Sequence, residues 1–135
     1  PLRATSRLTF MISLIDTSVL IDHTRGILGA HQALLSAVER GALHSSEIVR
    51  TELLVLIRDH ELARIEPLID QIIWHPVDRP VAERAGELGR RWLPAYSGID
   101  AADLIVAATA DLLGAELLTR NVTHFPMFDG LAPPY

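Results

Sequence analysis

Short apolar runs alternate with amphipathic stretches along this chain, the rhythm of a parallel sheet covered by helices. Residues 8–15 read as a first strand, feeding a helix from about Ser18. Over residues 30–40, Leu34, Leu35 and Val38 fall on one side of a helix that Gly41 ends. Residues 42–45 predict a short strand, with Ser46 as the N-cap of the next helix. Leu62, Ile65, Leu68, Ile69 and Ile72 mark a further amphipathic helix, and residues 73–77 the next strand. Pro80 suits the first turn of a helix whose stripe is Val81, Ala85, Leu88 and Trp92. Residues 93–98 break it. A helix carrying Asp103 runs to Leu113 and stops at Gly114, and residues 115–119 form a strand. The tail, 121–135, holds Pro126, Pro133 and Pro134 and is expected to add a last edge strand. The pattern predicts a three-layer α/β fold: a central parallel sheet of four to five strands flanked by helices.

Against this pattern a few acidic or acid-like positions stand out. Asp16 ends the apolar run that begins at Phe10 and is followed at once by Thr17 and Ser18. Glu52 has Ile48, Val49, Val55 and Leu56 as its helical neighbours three and four residues away. Asp103 lies within the segment from Ile99 to Ala110, again on the apolar side, and Asn121 follows the run that starts at Leu117. A charge on an apolar stripe costs roughly several kcal/mol unless it is paired, protonated or bound to metal. In open parallel sheets ligands sit beyond the carboxyl ends of the strands, and all four residues can reach that edge. One shared acidic site that binds a hard cation accounts for them together.

Each position also has a plainer account. Asp16 could bond its own backbone in a strand-terminal turn, and Glu52 could snorkel to solvent. Ser97 to Asp100 fits a capping box, which explains Asp100 better than the deeper Asp103. Asp22, Asp111 and Asp129 read as ordinary solvated acids. The six histidines show no metal-ligand spacing, and His124-Phe125 is expected to pack beside the site without catalysing.

Composition removes several chemistries. The chain has 135 residues, enough for one domain with a proper core, and 49% are hydrophobic, with only three Phe, two Trp and two Tyr. It has no cysteine, which excludes thiolate nucleophiles and cysteine metal sites. Its basic residues are all arginine, which excludes Schiff-base lysines and a Walker-type phosphate loop. The net charge of −5 argues against non-specific nucleic-acid binding over the whole surface, though not against a nuclease whose acids surround a metal. No apolar run reaches the ~20 residues of a membrane span, and Asp16 breaks the first apolar run as a signal peptide would not, so a cytoplasmic protein is expected. Residues 1–10 read as an extension or a remnant of expression, and residues 11–135 as a single domain.

Four segments carry a family resemblance: Ile15-Asp16-Thr17-Ser18-Val19-Leu20-Ile21-Asp22, the helix bearing Glu52, the stretch from Ala101 through Asp103 to Ala110, and Leu118-Thr119-Arg120-Asn121-Val122-Thr123-His124-Phe125. Together, in order and spacing, they resemble the PIN domain, and more closely the VapC-type toxins of prokaryotic toxin–antitoxin pairs. The resemblance covers nearly the whole chain after Met11. It implies a PIN-like parallel sheet flanked by helices, Mg²⁺ or Mn²⁺ at a carboxylate cluster, and endoribonuclease activity on single-stranded or structured RNA by water attack. Its acids map onto Asp16, Glu52 and Asp103 as metal ligands. Asn121 stands where the family often has aspartate and completes the catalytic set, while Thr17, Thr119 and Asp100 are placed to support the acids from behind. The implied partner is an antitoxin whose amphipathic helix fills a groove and brings a basic residue near the acids; a homodimer face using the same apolar residues is the other expectation. Two rivals remain at this stage. A catalytically idle PIN fold that only binds is kept open by Asn121. A strand–Asp phosphohydrolase is disfavoured because Ser18 stands where a second aspartate would be needed and because such sites usually use a lysine.

Overall fold

The computed structural model describes residues 11–135. Four strands, β1 (Ser13–Ile15), β2 (Leu43–Ser46), β3 (Ile73–His75) and β4 (Glu116–Leu118), form one parallel sheet in the order β3-β2-β1-β4. Between and around them run α1 (Thr17–Thr24), α2 (Leu28–Arg40), α3 (Glu47–Leu56), α4 (Asp59–Gln71), α5 (Arg79–Trp92) and α6 (Ala101–Leu113). This is the expected flanked α/β sheet, with four strands.

Sheet order places the site. From β1 the chain moves outward to β2 and β3, then returns across the sheet so that β4 lies on the other side of β1. The order reverses between β1 and β4, and the crevice beyond their carboxyl ends is the topological switch point where such sheets bind ligands. Asp16 follows β1, and Thr119, Arg120 and Asn121 follow β4. The backbone N–H of Asp16 donates to the carbonyl of Leu118 at 2.9 Å, so the parallel ladder carries the acid to the sheet's last rung.

The core is aliphatic: Leu14, Ile15, Val19 and Leu20 are wholly buried, with Val49, Leu53, Ile65, Val106, Ala107 and Ala108 packed into the same cluster. Local signals agree with the element ends. Ser46 caps α3 by accepting from the Ile48 N–H, Asp78 caps α5 by accepting from that of Val81, and Gly114 closes α6 at φ 63° in the left-handed region.

Several expectations need correction. The tail adds no fifth strand. Val122–His124 form a 3₁₀ turn, and the rest of 121–135 has no regular structure, because three prolines remove donors that a ladder needs. On α2 the buried face is Ala30, Leu34 and Ala37, whereas Leu35 and Val38 are 52% and 51% exposed. Small alanines, which leucine counting overlooks, let that helix seat. On α3 only Val49 and Leu53 are buried; Leu54, Val55 and Leu56 face outward. Helix α4 starts at Asp59, earlier than the leucine stripe indicates, because Glu61 reaches back to the Arg58 N–H. The first strand begins at Ser13, and the part expected over residues 8–10 lies outside the described residues.

Candidate active site

Asp16, Glu52, Asp103 and Asn121 come from four separate segments and line one open cleft of about 350 Å³. Asp16 is 6% exposed. Its Oδ2 accepts a hydrogen bond from the Thr119 hydroxyl at 2.7 Å, and the Thr17 N–H and Ser18 hydroxyl are also directed at the carboxylate. Thr17, one residue on, donates through Oγ1 to Glu52 Oε1 at 2.8 Å. A single Asp-Thr step therefore joins the end of β1 to the middle of α3. The Asn121 N–H donates to Thr119 Oγ1 at 3.0 Å, so the same threonine orders the exit from β4.

Asp103 reaches the cleft from the first turn of α6, where it is both cap partner and cleft residue. Asp100, not Ser97, is the N-cap: its Oδ1 accepts from the Asp103 N–H at 2.8 Å, and Asp103 Oδ2 accepts in return from the Asp100 N–H at 3.1 Å. The capping account proposed for Asp100 thus holds for both residues, with the helix one turn later than expected. Asp103 Oδ2 also lies 3.2 Å from His124 Nδ1, and its side chain is only 16% exposed. His124 packs beside the site, as its position in the Asn121–Phe125 segment indicates.

The three acids share one electrostatic character. Burial raises the Asp16 carboxyl above the ordinary range, against the lowering effect of the Thr119 hydroxyl bond. Burial also raises Glu52; Thr17 opposes this, while the negative charges of Asp16 and Asp100 add to it. Asp103 is pushed up to about 6, first by burial and then by Asp100, with the Asp100 N–H and His124 pulling the other way. Carboxylates that resist ionising beside one another constitute a site short of positive charge.

The donors are oxygens, the chemistry of a hard divalent cation. Among the described residues no three His, Asp or Glu side chains converge tightly enough to grip an ion directly. An ion that keeps much of its water, as Mg²⁺ does, would need few of these carboxylates directly and could meet the others through that water.

Three lining residues escape a sequence reading. Asp22 is not an ordinary solvated acid: it is half-buried, and its Oδ2 accepts from the Tyr135 hydroxyl at 2.7 Å. Arg120 is the one cation among the described residues of the cleft, and Ser18 Oγ accepts its N–H at 3.0 Å. The signal for both Arg120 and Ser18 is their place inside the motifs of Asn121 and Asp16. Nothing in the sequence pairs Asp22 with Tyr135, which lie 113 positions apart.

This arrangement of a parallel sheet with acids at its switch point is that of a known family. The PIN domain matches residues 13–126, and the chain belongs to the PIN-domain family. Ribonuclease VapC19 of Mycobacterium tuberculosis is 42% identical over 125 residues, covering 92% of this chain and 100% of the relative. Ribonuclease VapC10 of the same species is 38% identical over 122 residues, covering 90% and 92%. Among solved structures, a toxin–antitoxin complex from Klebsiella pneumoniae superposes with a TM-score of 0.77 at 30% identity, covering 91% of this chain and 98% of that one. No helix among the described residues is long and apolar enough to cross a membrane.

Proposed function

We propose that this chain is a divalent-metal-dependent endoribonuclease that acts in the cytoplasm as the toxin of a toxin–antitoxin pair. One observation carries the reading: Asp16, Glu52, Asp103 and Asn121, distant in sequence, line one cleft at the switch point of a PIN-family sheet. The similarity to ribonucleases VapC19 and VapC10 supports the reaction class. The structural similarity to a toxin–antitoxin complex supports the biological setting.

Asp16, Glu52 and Asp103 would hold the Mg²⁺ or Mn²⁺. When bound, the ion activates water and neutralises charge on the scissile phosphate. Thr119 and Thr17 fix the rotamers of Asp16 and Glu52 by donating hydroxyl protons, so neither carboxylate must reorganise when RNA arrives. The Asn121 amide orients the attacking water. In-line attack leaves a 5′-phosphate and a 3′-hydroxyl.

The apolar faces left outside the core supply partner surfaces. Leu35 and Val38 of α2 and Leu54, Val55 and Leu56 of α3 are half or more exposed. An antitoxin's amphipathic helix would cover such residues, and a basic side chain it brings to the acids would compete with the metal. A second copy of this chain would use the remaining apolar face. The test is cleavage of a panel of single-stranded and structured RNAs with Mg²⁺, with Mn²⁺ and with chelator. Metal-dependent cuts by the wild type that vanish in Asp16→Asn are expected. No cleavage would remove the reading and leave a binding module; metal-independent cleavage would leave a nuclease without the metal role.

A further inference from the structure

An arginine beside an acidic cluster ordinarily pairs with it. Arg120 does not: among the described residues no carboxylate lies within ion-pair distance of its guanidinium, although it lines the cleft with Asp16, Asp22, Glu52 and Asp103. It lies instead over the ring of Tyr135, 4.6 Å from the centroid. An aromatic face attracts a guanidinium without using its N–H donors in the plane. The fork therefore stays free for an anion.

The ring that holds it is itself built in. The Tyr135 hydroxyl donates to Asp22 at 2.7 Å, which fixes one end. Gly29, in the first turn of α2, fixes the other: a Cβ there would lie 2.7 Å from Tyr135 Cβ and 2.9 Å from the ring, so the tail seats only because that side chain is missing. At the arginine's base, the Arg120 N–H donates to Ser18 Oγ at 3.0 Å, one turn from the Asp16 contacts. Backbone and side chain of Arg120 are thus held by two residues of one segment, the backbone by Ser18 directly and the side chain by Asp22 through Tyr135.

We infer that Arg120 binds a phosphate of the RNA strand at the cleft, and that Tyr135, seated by Gly29 and Asp22, is its positioning residue. The inference rests on the nuclease reading and names the group that seats the substrate's backbone. In a cleft of like charges a polyanion needs one cation that is not neutralised by the acids. A ring-held guanidinium meets that need, because a carboxylate-held one would have to exchange partners.

The experiment compares Arg120→Ala, Arg120→Lys, Tyr135→Phe, Tyr135→Leu and Gly29→Ala with wild type in steady-state cleavage. The same changes are made in an Asp16→Asn background for equilibrium RNA binding across a salt series. Arg120→Ala is expected to raise KM about tenfold with kcat little changed, the worth of one charge-assisted bond. In the binding series it should flatten the slope of log K against log salt by about 0.7, the value for one phosphate contact on a single strand. Arg120→Lys should recover part of the affinity, since the charge stays and the fork is lost. Tyr135→Phe keeps the ring but frees the end that Asp22 holds and should raise KM slightly, while Tyr135→Leu and Gly29→Ala should raise it several-fold. An unchanged KM and salt slope in Arg120→Ala, with cleavage intact, would overturn the inference and leave the nuclease standing. If no RNA is cut even by wild type, the nuclease reading fails, and the binding series alone decides whether Arg120 meets a phosphate.

Discussion

Asp16 at the end of β1 and Glu61 in the first turn of α4 are buried to nearly the same degree, 6% and 3% exposed, yet their carboxyls move in opposite directions. Asp16 is pushed up by burial, while Glu61 is held down, chiefly by the Arg58 N–H that donates to its Oε1 at 2.9 Å. Arg25 helps Glu61 from 3.8 Å. Asp16 shares its surroundings with Glu52, and among the described residues no arginine forms an ion pair with it. Burial alone therefore does not mark a functional acid. What separates the two is the company each acid keeps: Glu61 accepts the Arg58 N–H of its own helix cap with Arg25 nearby, whereas Asp16 stands in the cleft beside Glu52.

The largest effect that sharpens this contrast is on catalysis. Asp16→Asn, Glu52→Gln and Asp103→Asn should each lower the cleavage rate by about a hundred- to a thousandfold or more, the cost of removing one charged group from a preorganised site. Their melting temperatures should hold or rise. Glu61→Gln should do the reverse, keeping cleavage and losing several degrees. A parallel response of Asp103 and Glu61 in both assays would break the comparison.

Cation binding comes next. Mg²⁺ or Mn²⁺ at about a hundred times its dissociation constant should stabilise the protein by roughly 2.7 kcal/mol, and Asp16→Asn should lose most of that gain. Thermal melts with and without metal measure both. A curve indifferent to millimolar metal would count against the carboxylate cluster.

The pH dependence separates the two acids by sign. Asp103 titrates near 6 in the folded chain against an ordinary value of 3.8, so its favourable contribution is complete below 3.8. That contribution is lost as pH rises through about 6, because the unfolded chain ionises first. The metal-free protein should therefore shed on the order of 2 kcal/mol from this group across that window, and Asp103→Asn should flatten the curve. Glu61, held down, adds stability above its ordinary value and loses it as pH falls. Denaturation midpoints from pH 4 to 7 in the two variants read the opposite slopes.

The smallest effect belongs to Asn121. Asn121→Ala should weaken cleavage without abolishing it, and Asn121→Asp should strengthen metal binding, by calorimetry, with activity altered but retained. Complete loss in Asn121→Ala with metal binding kept would give the amide a larger part than an orienting one.

Much of this was legible because local rules act locally. Ser46 caps α3, Gly114 ends α6, and apolar runs mark β1 and β4, so the placement of Asp16 and Asn121 at strand ends follows from the chain itself. The hydroxyls themselves were legible, Thr17 beside Asp16 and Thr119 two residues before Asn121, but their partners were not: Thr17 bonds Glu52, 35 positions away, and Thr119 bonds Asp16, 103 away. What escaped depends on register between distant segments. His44 and His75, with no helical spacing, stack on neighbouring strands with ring nitrogens 2.8 Å apart, because β2 and β3 pair in parallel. Tyr135 meets Asp22 only once the tail has wrapped past α2. Leu35 and Val38 of α2 were misassigned because an alanine face buries as well as a leucine one when helices sit close.

The Thr119 contacts also impose a direction on the site's protons. Backbone N–H groups donate and never accept. The amide of Asn121 therefore claims an acceptor lone pair on Thr119, and the amide of Arg120 claims one on Ser18. Each hydroxyl has one proton to give, and that of Thr119 goes to Asp16 at 2.7 Å. The Asn121 peptide N–H thus holds the Thr119 oxygen from one side while the hydroxyl proton is given to the carboxylate on the other. The arrangement is indifferent to the side chain at 121, which is why an alanine there isolates the amide's contribution. A proline at 120 or 121, carrying no N–H, would leave every acid of the cleft in the sequence and release a hydroxyl from its fixed orientation.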